Sequence, residues 1–463
     1  METPAKFLKG NLFRHITVMS LTASVGLMAV FLVDFVDMVF ISMLGKAELA
    51  AAIGYAGALL FFTSSFGIGM AIAAGALVAM ALGAGDEELA KRRATNTLIF
   101  GVIFGAIFAF VVWLNLRPLA ALLGASGETL DLAVSYLSII IPSLPLLIFG
   151  MVGSAVLRAY GDARRAMMAT VWGGLVNAVL DPILIFGLDL ELTGAAIASV
   201  VARATIAWFG IMPLIRAHQA LAKPNVTALR YDLKPVVAIA APAILTQLAT
   251  PLGQAFVTRS MAEFGEAAVA GMAIVGRMTP IAFGVLFALS GAIGPIIGQN
   301  HGAGNEDRVR ESLRDAFIFT ALVVVLVTLA LYALRGPVVA LFEADGITKD
   351  LVLLFCGPLA LAFFFNGVIF VTNAAFNNLG HPFYSTWINW GRHTLGTVPL
   401  VLLGSAWFGA PGVLIGQAIG GVVFAVIAVV LVYRVVVVAK PDTVEAEPFA
   451  RQARLFQLFH HRR

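Results

Sequence analysis

The sequence predicts an all-α integral membrane protein, with twelve transmembrane helices in two six-helix bundles related as parallel repeats around a central cleft. Three observations carry this expectation: a missing charged shell, apolar runs long enough to cross a bilayer, and loop landmarks that recur at a fixed spacing. Of the 463 residues, 60% are hydrophobic and 12% are charged. An ordinary soluble domain devotes about a quarter of its residues to charge. Mean hydropathy is +0.94.

The apolar runs fall at approximately 14–43, 49–82, 95–116, 129–157, 166–187 and 193–215, then at 236–260, 268–300, 315–334, 348–378, 384–404 and 411–438. Each is sufficient for a hydrocarbon core about 30 Å thick. A signal peptide would explain one such run but not a dozen. Continuous apolar runs joined by short polar links fit helices and not the alternating pattern of a β-barrel. Breakers mark the gaps, among them Gly83-Ala84-Gly85-Asp86, Gly161-Asp162, Lys223-Pro224-Asn225, Gly302-Ala303-Gly304-Asn305 and Gly380-His381-Pro382. Cys356 is the single cysteine, so neither an internal disulfide nor a cysteine metal cluster is expected.

Basic residues set the orientation. One side holds Lys6, Lys9 and Arg14, then Lys91, Arg92 and Arg93, then Arg158, Arg164 and Arg165, and continues with Arg216, Lys223, Arg230 and Lys234, with Arg308, Arg310 and Arg314, and with the tail. The other side offers Lys46, Arg117, Arg259, Arg335 and Lys349. The richer side is expected to be cytoplasmic, with both termini there. Such membrane-flanking charge accounts for the basic balance, so no nucleic-acid partner is expected.

An internal repeat organises the chain. Gly45-Lys-Ala-Glu-Leu-Ala answers Gly265-Glu-Ala-Ala-Val-Ala, Gly83-Ala-Gly-Asp-Glu answers Gly302-Ala-Gly-Asn-Glu, Gly161 answers Gly380, and Gly194-Ala-Ala-Ile answers Gly412-Val-Leu-Ile. All are offset by about 219 residues. Six spans per copy is an even number, so both copies enter the membrane the same way up. The expected division is an N-terminal lobe at 1–218, a cytoplasmic linker at 219–235, a C-terminal lobe at 236–440 and a basic tail at 441–463. The tail mixes Phe449, Phe456 and Phe459 with Arg451, Arg454, Arg462 and Arg463, a pattern suited to an amphipathic helix on an anionic leaflet.

Acidic residues keep to the loops, except Asp34 and Asp37 in the first span and Asp181 in the fifth. Each costs about 2.5–3.5 kcal/mol at mid-bilayer on insertion scales, which marks it as a functional candidate. Both spans run in the same direction, and Asp37 and Asp181 lie at the same depth, so the two carboxyls can meet. Asn177, four residues before Asp181, shares its helix face, and Ser199 of the sixth span lies near the same side. Carboxylates, amide and hydroxyl are hard oxygen donors, able to hold and release a proton or to coordinate Na⁺ through Asp37, Asn177, Asp181 and Ser199. Asp34 either belongs to this set or tunes Asp37 from beside it. Pro182 should bend its helix next to the site.

The second copy breaks the symmetry: Val257, Gly396 and Leu400 stand where Asp37, Asn177 and Asp181 would be. Coupling is therefore expected in the N-terminal lobe alone. Polar candidates for lining the cleft are Gln247, Asn373, Asn377 and Arg392, with His393 beside the last. Arg203, one turn from Ser199, could serve as a counter-ion or cap backbone carbonyls. No phosphate-binding loop is present, which argues against ATP as the energy source.

These residues resemble the multidrug and toxic compound extrusion (MATE) transporters over about 14–438. The resemblance rests on Val36-Asp37-Met-Val-Phe with Leu44-Gly45, Leu157-Arg158-Ala-Tyr-Gly161-Asp162, Asn177-Ala-Val-Leu-Asp181-Pro182, Gly194-Ala-Ala-Ile-Ala-Ser199 and Gly298-Gln299-Asn300-His-Gly302-Ala-Gly304. It implies a secondary antiporter in a bacterial inner membrane. Such a protein exports amphipathic, often cationic, compounds against inward H⁺ or Na⁺. The family's N-lobe cation site would fall on Asp37, Asn177, Asp181 and Ser199. The expected protein is a monomer and not an enzyme, needing no cofactor beyond the ion and having lipid and small amphipathic molecules as partners. Lack of C-lobe acids looks like the DinF-like branch. Many relatives carry a proline early in the first span; Thr22 stands there, and the second copy keeps Pro242. A lipid-linked saccharide flippase is the alternative, disfavoured by twelve spans and a cleft short of lysine.

Overall fold

A computed structural model describes residues 5–44 and 46–438; the basic tail expected at 441–463 lies outside them. The spans form as helices α1 (Leu12–Met43), α2 (Ala47–Gly83), α3 (Glu87–Leu114), α4 (Gly127–Ala159), α5 (Ala163–Gly187) and α6 (Glu191–Arg216). The second set is α7 (Val226–Ala262), α8 (Glu266–Gly302), α9 (Glu306–Leu341) and α10 (Gly346–Asn378). The helical stretch Pro382–Val436 then turns at Gly409, at φ 65° and ψ −144°, so it holds two spans, α11 (382–408) and α12 (411–438). A Cβ on Gly412 would lie 1.9 Å from the Gly404 carbonyl oxygen. Only glycine lets these two helices touch backbone to backbone just after the turn. No strand occurs among the described residues.

The repeat is visible in how the helices end. Gly85, Gly161, Gly304 and Gly380 all adopt φ between 73° and 77°. The residue after each donates its N–H back into the preceding helix, as Asp86 to Ala81, Asp162 to Leu157, Asn305 to Asn300 and His381 to Phe376. This is the left-handed glycine stop, which satisfies orphan carbonyls while reversing the chain. In the first copy the next residue also caps the following helix: Asp86 accepts from the Leu89 N–H, and Asp162 from the Arg165 N–H.

By internal contacts the described residues form two compact units, one of 5–6 with Thr22–Ile244 and one of Phe7–Leu21 with 245–438. The beginning of α1 therefore counts with the second unit and the beginning of α7 with the first. Within the first unit, α7 is held by Asp232, which accepts from Arg92 at 3.1 Å and from Asn96 at 2.6 Å. Within the second, the chain before α1 is held by Gln299, Asn300 and Arg308 on the Phe7 backbone.

Each unit buries a matching apolar cluster. Ile41, Leu192 and Ala195 belong to one, and their repeat partners Met261, Ala410 and Val413 belong to the other. Several spans are interrupted where proline removes a helical hydrogen bond. α4 tightens into a 3₁₀ turn at Ile141–Ser143, α5 widens into a π turn at Ile183–Gly187 just past Pro182, and α10 does the same at Phe355–Leu359 around Pro358. α11 carries a π turn of its own at Arg392–Gly396.

Candidate functional site

The site in the first unit is built where α1 and α5 lie side by side. Small residues let them approach: Gly26 has the Met167 backbone 3.4 Å from where its Cβ would be, and Gly174 has a Val33 methyl at 3.0 Å. Asn177 is one turn further along α5 than Gly174, and Asp181 one turn beyond that, so all three share a face. The Asn177 amide nitrogen donates to Asp181 Oδ2 at 2.6 Å and reaches Asp37 Oδ1 and Oδ2 at 3.1 and 3.2 Å. One amide thus ties together carboxyls from two helices, and the two carboxyls also act on each other directly. Asp181 is 0% exposed and Asn177 4%, whereas Asp37 is half-buried. Asp181 Oδ1 is buried without a hydrogen-bond partner among the described residues.

Asp34, one turn before Asp37 on α1, is exposed and lies within electrostatic reach of Asp37. Ser199 is half-buried on α6, near the Tyr136 phenol of α4. Tyr136 lies within electrostatic reach of Asp37, Asp181 and Arg203 and packs against the apolar cluster around Ile41 and Ile185. The structure therefore joins Asp37, Asn177 and Asp181 directly and places Ser199 outside that trio, near Tyr136, a residue the sequence did not single out. A tyrosine in an apolar span reads as an interfacial anchor, so no local signal marked it. Arg203 is not bonded to the acids: its Nη1 donates to the Ile140 carbonyl at 3.1 Å and to Ser143 Oγ at 2.9 Å. It satisfies backbone opened by the 3₁₀ turn before Pro145.

The MatE family model matches this chain twice, at residues 23–183 and 242–402. The two matches are displaced by about the 219 residues that separate the glycine landmarks, and together they cover most of the chain. The chain belongs to the MATE family. A FAD transporter of Shewanella oneidensis is 29% identical over 92% of this chain and 96% of its own length. The multidrug export protein MepA of Staphylococcus aureus is 25% identical over 92% of this chain and 95% of that protein. The crystal structure of the Vibrio cholerae MATE transporter VcmN superposes with a TM-score of 0.87 at 25% identity, covering 93% of this chain and 98% of that one. The two-lobed, twelve-helix fold is thus that of MATE transporters. The relatives are transporters and not enzymes.

In this MATE chain the polar candidates of the second lobe are scattered. Asn373 accepts from the Asn389 side chain at 3.1 Å, and its carbonyl takes a bond from Ser385 Oγ at 3.2 Å. Asn377 is buried with its Oδ1 unpaired among the described residues. Gln247 is half-buried on α7. Arg392 donates to Asn366 Oδ1. Val257, the counterpart of Asp37, is fully buried in the apolar cluster with Val401. No group of three or more His, Cys, Asp or Glu able to hold a metal occurs among the described residues.

Proposed function

We propose that this MATE transporter is a secondary antiporter of a bacterial inner membrane, with both termini cytoplasmic, in which Asp37 and Asp181 hold the coupling ion. The observation that carries this reading is the single Asn177 amide bonded to both carboxyls, with Asp181 wholly buried. Two like carboxyls sharing one small donor inside a membrane bundle need a further positive partner. A proton on one of them supplies it, and so does a Na⁺ ion using the same oxygens with Ser199 and Asn177. Release of that ion leaves two facing negative charges, which changes how α1 and α5 pack. Such a change is the kind of two-state element that alternating access requires.

The exported molecules are amphipathic. MepA is named for multidrug export and the Shewanella protein for FAD, which couples a flat ring system to phosphate groups. Moving one charge down 100 mV provides about 2.3 kcal/mol, enough for roughly fifty-fold accumulation. The absence of second-lobe carboxyls at the repeat positions fits the DinF-like branch. The test is flux in reconstituted vesicles with an imposed pH gradient and then a Na⁺ gradient. One gradient should drive uptake of a dye such as ethidium in the wild-type chain and fail in Asp37→Asn. Full gradient-driven flux in a folded Asp37→Asn protein would refute the coupling role.

A further inference from the structure

Repeat symmetry places a second polar cluster in the C-terminal lobe, of opposite character to the acidic one. Gly174 on α5 corresponds to His393 on α11, Gly173 to Arg392, Asp34 on α1 to Gln254 on α7, and Ser199 on α6 to Gln417 on α12. The helix contact is preserved with its partners exchanged. In the first lobe Val33 of α1 fills the space over Gly174, and in the second His393 of α11 fills the space over Gly253 of α7. A Cβ on Gly253 would stand 2.2 Å from His393 Nδ1.

Three features of this cluster ask for a ligand. His393 is 4% exposed, and both its ring nitrogens lack a hydrogen-bond partner among the described residues. Arg392 is half-buried near the middle of its span and donates to the neutral Asn366 side chain, while no carboxylate among the described residues acts on its charge. Both residues open the π turn that interrupts α11, and π turns recur at functional sites. Gln254 and Gln417 bond each other at 3.1 Å on the exposed side of the same lobe. Gln417 lies one helical turn before Gly421, whose Cβ would stand 3.9 Å from Arg392 Nε. A guanidinium without a counter-ion in a membrane lobe is costly. Its planar fork matches the paired oxygens of a phosphate.

We propose that Arg392, with His393 and the Gln254–Gln417 pair beside it, forms an anion site that receives the phosphate groups of a transported dinucleotide of the FAD class. The amide pair is suited to the imide edge of a flat heterocycle, while the first lobe keeps the coupling ion. This deepens the antiporter reading and rests on it for the direction of transport. The chemistry that supplies such a substrate is a cytoplasmic nucleotidyl transfer that joins two nucleotide units through a diphosphate.

The probe is equilibrium binding of FAD and of riboflavin, which shares the flavin but has no phosphate. The full-length protein is held in nanodiscs of phosphatidylcholine and, separately, of phosphatidylglycerol. The wild type should prefer FAD by about tenfold or more in both lipids, the scale of a charge-assisted fork on phosphate. Arg392→Gln should erase the preference, and Arg392→Lys should keep part of it. Asn366→Asp neutralises the guanidinium in place and should also erase the preference, and it carries the test if Arg392→Gln does not fold. Equal binding of FAD and riboflavin by the wild type, or a preference that survives both substitutions, overturns the proposal. A preference seen in phosphatidylcholine but lost in phosphatidylglycerol means that a lipid headgroup occupies the site, which also overturns it. No ion gradient is present in this assay, so its outcome is separate from the Asp37→Asn flux test of antiport.

Discussion

The two lobes share a scaffold and differ in what that scaffold carries. Each has the same glycine-stopped helices and a matching apolar cluster. In the first, the α1–α5 contact carries Asp37, Asn177 and Asp181, joined by one amide. In the second, the equivalent positions are Val257, Gly396 and Leu400, and Val257 is sealed in the core. The polar groups of the second lobe lie one to two turns earlier on the corresponding helix, at Arg392 and His393 in place of Gly173 and Gly174, and neither carries negative charge. Duplication supplied two frames; the acids remain in one. The lesson is that a frame tolerates a polar site wherever one helix of the contacting pair offers glycine and the other a side chain.

The largest effect expected from this contrast is on coupling. Asp181→Asn, which removes the most buried carboxyl, should reduce gradient-driven export to background while an equivalent change in the second lobe, Leu400→Asn, leaves gradient-driven export measurable. Flux in reconstituted vesicles checks both. Next in size is the reverse graft. Val257→Asp places a carboxyl in an apolar cluster without an amide partner, and insertion scales put its cost at about 2.5–3.5 kcal/mol. A lower melting temperature and reduced membrane yield are expected. Normal stability would mean that the second lobe holds a latent acid site.

The exchanged helix contact gives a third comparison. Gly253→Ala drives a methyl into the His393 ring and its Cβ, at 2.2 to 2.8 Å, and overpacking of this kind costs about 1–3 kcal/mol. Gly174→Ala meets a Val33 methyl at 3.0 Å, with the Ala29 carbonyl oxygen at an ordinary 3.8 Å, and should cost less. Thermal unfolding of the two variants in detergent should rank them in that order, and the opposite ranking would contradict the contact as described.

The smallest effect lies at the loop before α5. Burial alone would raise the Asp162 carboxyl, but hydrogen bonds from His218 and Arg165 outweigh it and hold it at about 2. His218 Nε2 lies 2.9 Å from Asp162 Oδ2. Because the folded value is below the ordinary 3.8, the stabilisation is complete above pH 3.8 and is lost as pH falls through about 2. Asp162→Asn should lower stability by about 1 kcal/mol at neutral pH, the usual scale of a cap. It should flatten the acid limb of the pH–stability curve.

Much of the fold was legible because bilayer thickness sets helix length, and runs such as 95–116 and 193–215 needed little besides counting. The repeat was legible because left-handed turns demand glycine, which fixed Gly161 against Gly380. The meeting of Asp37 and Asp181 followed from equal depth on helices running the same way. What the chain order hid depended on contacts between distant spans. Tyr136 of α4 lies near Ser199 of α6, and Arg203 of α6 turns to the Ile140 carbonyl opened by the 3₁₀ turn of α4. His393 against Gly253 joins residues 140 positions apart, and neither has a signature of its own. The beginnings of α1 and α7 exchange units because Phe7 and Asp232 are bonded there, which no hydropathy window reports.

The most direct measurement is binding of the coupling ion to the purified protein: proton release on addition of a cationic substrate in Na⁺-free buffer, and retention of radioactive Na⁺ at fixed pH. One of the two signals should be present in the wild type. Either single substitution, Asp37→Asn or Asp181→Asn, should abolish it, and the double variant should be no worse, because both carboxyls serve one ion. An undiminished signal in either single variant would contradict a shared site between α1 and α5.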